Sequence, residues 1–227
     1  MRVFRNRVLP DSGMEAFVEN RRKEEPNSSG VQGKPHPPGR TKIVEAMKAL
    51  LEQKEFGAIT TAEIARNAGV TEALIYKYFQ DKRDLLHQIL GEYLERYFLQ
   101  FQTDLKGIKG ALNKLRKLIW GHLNVYSTNR VFARILLLEV RNYPDYYRSE
   151  TYERVKRYSN VLLDIIEEGV ANGEIRTDLP PTFMRQVILG SMEHVCLTGI
   201  IFQREIAPEE LTEDLCRFVF QGIEKRQ

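Results

Sequence analysis

Residues 60–84 read TTAEIARNAGVTEALIYKYFQDKRD, and their residue types fit two short helices joined by a tight turn. Helices that cross steeply need a small residue where they touch, and Ala65 stands at that place. Four positions on comes Gly69, the residue type that takes a left-handed conformation without steric cost. Ile64, Ala68, Val70, Ile75 and Tyr78 then fall on the side of the crossing that must be covered. Thr61 is expected to cap the first helix, with Glu63 close behind, and Thr71 to cap the second. A helix–glycine–helix corner alone is common to many helical proteins. Charge does not decide the matter, since residues 40–90 carry eight Lys/Arg against seven Asp/Glu. Any nucleic-acid contact here rests on individually placed groups and not on a basic field.

Working outward, the whole chain from residue 40 reads as helix after helix. Ile43, Val44, Met47, Leu50 and Leu51 recur at spacings of three and four, one buried helix face, with Gly57 expected to end it. A long helix opens at Lys82 and carries a wide apolar stripe to Leu105, before Gly107 and Gly110. Leu112 to Tyr126 marks the next helix. Residues 131–141 (VFARILLLEVR) are apolar nearly all round, which predicts a helix in the middle of the fold. Pro144 separates it from a helix carrying Val155, Tyr158, Leu162, Ile165 and Ile166 and ending at Asn172 and Gly173. Pro180, Pro181 and Pro208 open the last two helices. No stretch alternates with period two. The expected fold is all-α, with about nine helices.

The bulk composition narrows the function classes. Of 227 residues, 42% are hydrophobic and 29% charged, an ordinary globular balance. No apolar run approaches the roughly 18 residues that span a bilayer, and the first residues carry no signal-peptide pattern, so a cytoplasmic location is expected. Cys196 and Cys216 sit in separate apolar helical patterns and are expected as reduced, buried thiols. His36, His87, His122 and His194 show no metal-ligand spacing, and no phosphate loop or nucleophile motif is present. The expectation is no enzyme, no metal and no cofactor. Residues 1–39 read as a polar, disordered arm in which Met14 offers a second possible start. Arg21, Arg22, Lys23 and Arg40 are placed to track a minor groove from that arm.

The run Ala62-Glu63-Ile64-Ala65, Ala68-Gly69-Val70-Thr71 and Ile75-Tyr76-Lys77-Tyr78-Phe79-Gln80-Asp81-Lys82 closely resembles the DNA-binding domain of the TetR family of repressors. The resemblance implies a three-helix helix-turn-helix domain over residues 40–84 and a helical ligand-binding and dimerisation domain over 85–227. It implies double-stranded operator DNA as partner, with the helix at 71–79 in the major groove. Thr61, Thr71, Glu72, Ala73, Leu74, Tyr76, Lys77, Tyr78 and Lys82 are the expected DNA-side residues, Lys82 as a phosphate clamp and Leu74 against a thymine methyl. Ala73 and Leu74 depart from the family pattern, in which glycine and then threonine are frequent.

Residues 186–203 (QVILGSMEHVCLTGIIFQ) hold one charged residue, Glu193, and must be covered all round. A second copy is the expected cover, giving a homodimer through the last two helices. Trp120, His122, Tyr126, Phe132, Tyr158, Met184, Met192 and His194 are the candidate walls of a small-molecule pocket. Residues 138–141 and 166–169, with Gly173, resemble the acyl-CoA-responsive subset of the family. Arg134, Arg141 and Arg148 are placed for an acidic headgroup, while a lipophilic drug or aromatic metabolite is the rival effector. The expected function is a repressor released from a palindromic operator by such a ligand. An activator or a corepressor-dependent regulator of the same fold stays open.

Overall fold

The computed structural model describes residues 36–224. The expected disordered arm falls outside them, except at its end. There Pro38 and Gly39 already belong to the first helix, α1 (Pro38–Gln53), whose first turn proline suits because it needs no N–H. Helix α1 stops at Gln53, short of Gly57, which lies instead in a 3₁₀ turn at Phe56–Ala58. Helices α2 (Thr61–Ala68) and α3 (Glu72–Tyr78) follow, then the long α4 (Lys82–Asp104). Helix α5 (Ala111–Thr128) precedes α6 (Arg130–Arg134), and α7 (Glu150–Ala171), α8 (Pro181–Ile201) and α9 (Pro208–Ile223) complete the fold. Among the described residues these are nine α-helices and no β-strand.

Residues 131–141 differ from expectation. They do not form one regular helix. Helix α6 passes into a π-turn at Ile135–Glu139 and a 3₁₀ turn at Val140–Asn142. Continuous apolarity foretold burial, and Phe132, Ala133, Ile135, Leu136 and Val140 are indeed buried. It carried no information about winding, because π-turns are imposed by packing around them.

From Pro37 onward the chain forms one compact unit. Helix α4 passes from the first three helices into the rest, and the expected boundary at 84/85 falls within its first turn. Its start is fixed by Asp81, whose carboxylate accepts from the Asp84 N–H at 2.7 Å. Helix α5 is capped from a distance, as Glu174 accepts from the Ala111 N–H at 2.9 Å. Ile188, Met192, Cys196 and Ile200 bury one face of α8 at spacings of four, while Cys216 is buried on α9. Both thiols are unpaired, and burial pushes each up to about 11. The opposite side of α8 leaves Phe183, Val187, Val195 and Ile201 exposed, and Phe202 and Phe218 are 66% and 73% exposed. No helix among the described residues is long and apolar enough to cross a membrane.

Candidate DNA-reading face and ligand cavity

The α2–α3 corner is built as its residue types demand. Gly69 takes φ 65°, ψ 39°, and beyond it the Val70 N–H reaches the Ala65 carbonyl while the Gly69 N–H reaches Arg66. These two bonds close the end of α2 and turn the chain sharply into α3. The cap of α2 is Thr60 and not Thr61: the Thr60 hydroxyl accepts from the Glu63 N–H at 3.2 Å. The cap sits one residue early because two threonines stand in tandem, and only the outer one lies at the non-helical position. Thr61 then lies in the first turn, where its hydroxyl donates to Glu72 at 2.8 Å and ties the two helices together.

Helix α3 is anchored by Ile75, its single buried residue, beside the buried Phe79 that follows it. Thr71, Glu72, Ala73, Tyr76 and Lys77 are exposed, and Tyr76 is 55% exposed despite its large apolar ring. Thr71 occupies the capping position with no side-chain capping bond. Leu74 and Tyr78 face the other way. Both pack toward Gly39, where a side chain would meet Leu74 Cδ2 at 3.0 Å, so the glycine permits the close approach of α1 to α3. Leu74, expected against a thymine methyl, is half-buried in this packing.

Two expected cations are also spoken for. The Lys82 ammonium donates to the Phe56 and Ile59 carbonyls at 2.9 and 2.5 Å and lies 4.3 Å from the Phe56 ring centre. Burial lowers its pKa below the ordinary lysine value. Lys82, expected as a phosphate clamp, here pins the loop between α1 and α2. Arg40 donates to Gln88 and Glu92, both at 2.9 Å, and bridges α1 to α4 instead of serving an arm. Arg21, Arg22 and Lys23 lie outside the described residues.

Behind the reader, α4 to α8 border a partly open cavity of about 60 Å³, and four of the candidate residues, His122, Tyr126, Phe132 and Tyr158, line it. The remaining candidates do not reach it. Trp120 stands half-buried elsewhere on α5, under the Lys117 ammonium at 4.6 Å. Met184 and Met192 fill the core, and His194 is exposed. Helical phase explains the split. Leu189 and Glu193, four apart on α8, face the cavity, so Met192 and His194 are turned about 100° to either side. Glu193 and Tyr97 also line the cavity although neither was an expected wall, and Arg141, expected only at a headgroup, joins them. The signal for Glu193 was its isolation as the lone charge in an apolar helix.

The cavity wall is polar but electrically balanced. Arg141 meets Glu193 through two parallel bonds of 2.8 and 2.6 Å, and hydrogen bonding to Glu193 raises the guanidinium pKa further. His122 Nδ1 shares a 3.1 Å hydrogen bond with the Tyr158 hydroxyl. Burial holds His122 down to about 4, and it raises the phenols of Tyr97, Tyr126 and Tyr158. All four are neutral near pH 7. Phe132 also borders a second, open groove of about 450 Å³, which Lys48, Leu51, Tyr93 and Arg130 help to form. Two residues beyond Phe132, Arg134 donates to the Leu51 carbonyl at 2.8 Å and to Glu55 at 3.1 Å. That arginine, like Arg141, is engaged within the protein.

The pattern of bacterial regulatory proteins of the tetR family matches residues 43–89, and that of the YsiA-like protein C-terminal region matches residues 86–222, more than half of the chain. The chain belongs to the tetR family. It is a ligand-responsive, DNA-binding transcriptional repressor and not an enzyme. The fatty acid metabolism regulator protein of Bacillus subtilis is 26% identical over 184 residues, covering 81% of this chain and 95% of that one. The transcriptional repressor KstR2 of Mycolicibacterium smegmatis is 25% identical over 141 residues, 62% of this chain and 69% of its own. The crystal structure of Bacillus subtilis FadR with stearoyl-CoA superposes with a TM-score of 0.73 at 26% identity, covering 81% of this chain and 99% of that one. In this tetR-family chain the reading corner lies within the first matched segment and the whole cavity lining within the second.

Proposed function

We propose that this cytoplasmic regulator acts as a homodimer that holds a palindromic operator and lets go when a long-chain acyl-CoA occupies the cavity. Residues 40–84 form the reading domain in this account, and residues 85–227 the ligand-binding and dimerisation domain. The observation that carries it is the position of Phe132. This residue borders both the inner cavity and the outer groove, and it lies two residues from the arginine that grips the end of α1. An acyl chain that displaces Phe132 moves α6, and through Arg134 it moves the reading domain. The relative crystallised with stearoyl-CoA supports an acyl thioester as the ligand class. The outer groove, with Lys48 and Arg130, has room for polar parts of the ligand.

At the DNA, Thr71, Tyr76 and Lys77 are the residues best placed for contact, because they are exposed along the short α3, Thr71 at its cap and the other two in its last turn. Glu72 and Ala73 lie beside them, and Thr61 and Tyr78 serve mainly to hold the corner. The apolar stripe of α8, with Phe202 and Phe218, is the surface that a second copy covers. Two reading helices then face half-sites about one DNA turn apart.

A mobility-shift titration against DNA upstream of the gene encoding this protein, with and without stearoyl-CoA, tests the account. Specific binding weakened about tenfold or more by the thioester is the expected result. Specific binding indifferent to every long-chain thioester refutes the effector class while keeping the repressor. Tighter binding with the thioester would show a corepressor.

A further inference from the structure

Two residues lining the cavity carry a buried polar atom without a hydrogen bond, the Tyr97 hydroxyl and the His122 imidazole, and the imidazole is the one already oriented by a partner on its other nitrogen. His122 is 5% exposed, and its Nε2 makes no hydrogen bond, although Nδ1 is engaged by Tyr158. A buried nitrogen left unpaired is destabilising, and a methylene placed against it leaves that cost standing. An oxygen placed there removes it. We propose that the buried part of the effector carries a neutral oxygen, a hydroxyl or carbonyl on an otherwise apolar chain or ring, which hydrogen-bonds to His122 Nε2. This rests on the reading that the cavity takes the effector's apolar portion.

The charge balance of the wall selects a neutral group. Arg141 is the cation bordering the cavity, and both of its bonds to Glu193 are already made. Glu193 borders the same space, so an ionised carboxylate would meet a like charge and no free cation. Burial keeps the imidazole uncharged at neutral pH. The tautomer then refines the choice. If the Tyr158 hydroxyl donates to Nδ1, Nε2 carries the hydrogen and binds a carbonyl or a hydroxyl. If Nδ1 donates to Tyr158, Nε2 accepts, and a hydroxyl alone fits. A hydroxyl satisfies both forms. The cavity of about 60 Å³ accommodates such a group with a few carbons, and the rest of the chain requires Phe132 to swing aside.

Calorimetric binding to the full-length protein tests this, with stearoyl-CoA set against a positional series of hydroxystearoyl- and ketostearoyl-CoA. At least one oxygenated chain should bind about tenfold more tightly than stearoyl-CoA, the scale of one recovered hydrogen bond. In His122→Phe the preference should fall to within about twofold. His122→Asn, which keeps a polar group, should retain part of it and guards against a Phe variant that folds poorly. Stearoyl-CoA binding as tightly as every oxygenated chain would overturn the proposal. So would an equal loss for all ligands in both variants, because that places the shared thioester carbonyl at His122. If no CoA thioester binds, the acyl-CoA reading fails by itself. Long-chain alcohols and ketones compared with the matching alkanes then decide the His122 assignment: a preference abolished by His122→Phe upholds it, and no preference overturns it.

Discussion

The reading corner and the ligand cavity use their polar side chains in opposite ways. On α3, Thr71, Tyr76 and Lys77 are exposed around one buried anchor, Ile75. In the cavity, His122, Tyr126 and Tyr158 are buried, and Arg141 and Glu193 neutralise each other. A surface that must meet a charged, hydrated partner keeps its donors outside and spends little of its core on holding them. A cavity that must stay stable when empty satisfies its polar atoms internally and leaves open only what the ligand completes.

The largest test of this contrast is Ile75→Ala. Removing the single buried side chain of α3 should destabilise the protein by about 3 kcal/mol, measured by denaturant unfolding. A loss below about 1 kcal/mol would mean that α3 is held by its surface contacts instead.

The cavity should reveal itself through pH. Burial depresses the His122 pKa from 6.5 to about 4, so the unfolded chain takes up a proton before the folded one does. Stability from this residue is therefore complete above pH 6.5 and is lost progressively as pH falls toward 4, on the order of 3 kcal/mol in all. His122→Phe should remove that part of the acid limb, which is seen by subtracting its unfolding free energy from wild type across pH 4–7. A flat difference would show that the imidazole is hydrated in the folded state.

Tyr76→Ala should cost little stability, within about 0.5 kcal/mol, because the ring is more than half exposed. Specific DNA affinity should nevertheless fall about thirtyfold, the value of a good base or backbone contact. Unchanged operator binding would move the reading face elsewhere on α3.

The smallest effect is expected at Lys82→Met, which keeps the stem over Phe56 and removes the ammonium. Losing its bonds to the Phe56 and Ile59 carbonyls should destabilise the loop by about 1 kcal/mol. The salt dependence of DNA binding should keep its slope. A slope shallower by about one unit would restore Lys82 to the phosphate backbone.

How far each region was legible follows from the same contrast. Gly69, Ala65 and Ile75 were readable because each answers to neighbours within a few residues, and a tight corner tolerates few alternatives at those places. Thr60 against Thr61 was missed by one residue, since tandem threonines leave the cap position ambiguous. The intramolecular partners of Lys82, Leu74 and Arg40 were not legible because they lie on other elements: Phe56 and Ile59, the backbone at Gly39, and Glu92. In the cavity, four of the eight expected residues line the wall. Trp120, Met184, Met192 and His194 were misplaced because bulk and adaptability say nothing about which way a helix is rotated.

The sequence by itself determined the helices, the helix-turn-helix corner and the family, because periodicity, glycine placement and capping act over one or two turns. Only the tertiary structure decided which face of α5 and α8 meets the cavity, that the 131–141 segment winds into a π-turn, and that Arg141 and Glu193 pair across 52 positions. Those outcomes depend on how several helices rotate against one another. That rotation is set by the joint packing of side chains far apart in the chain, so no local pattern encodes it.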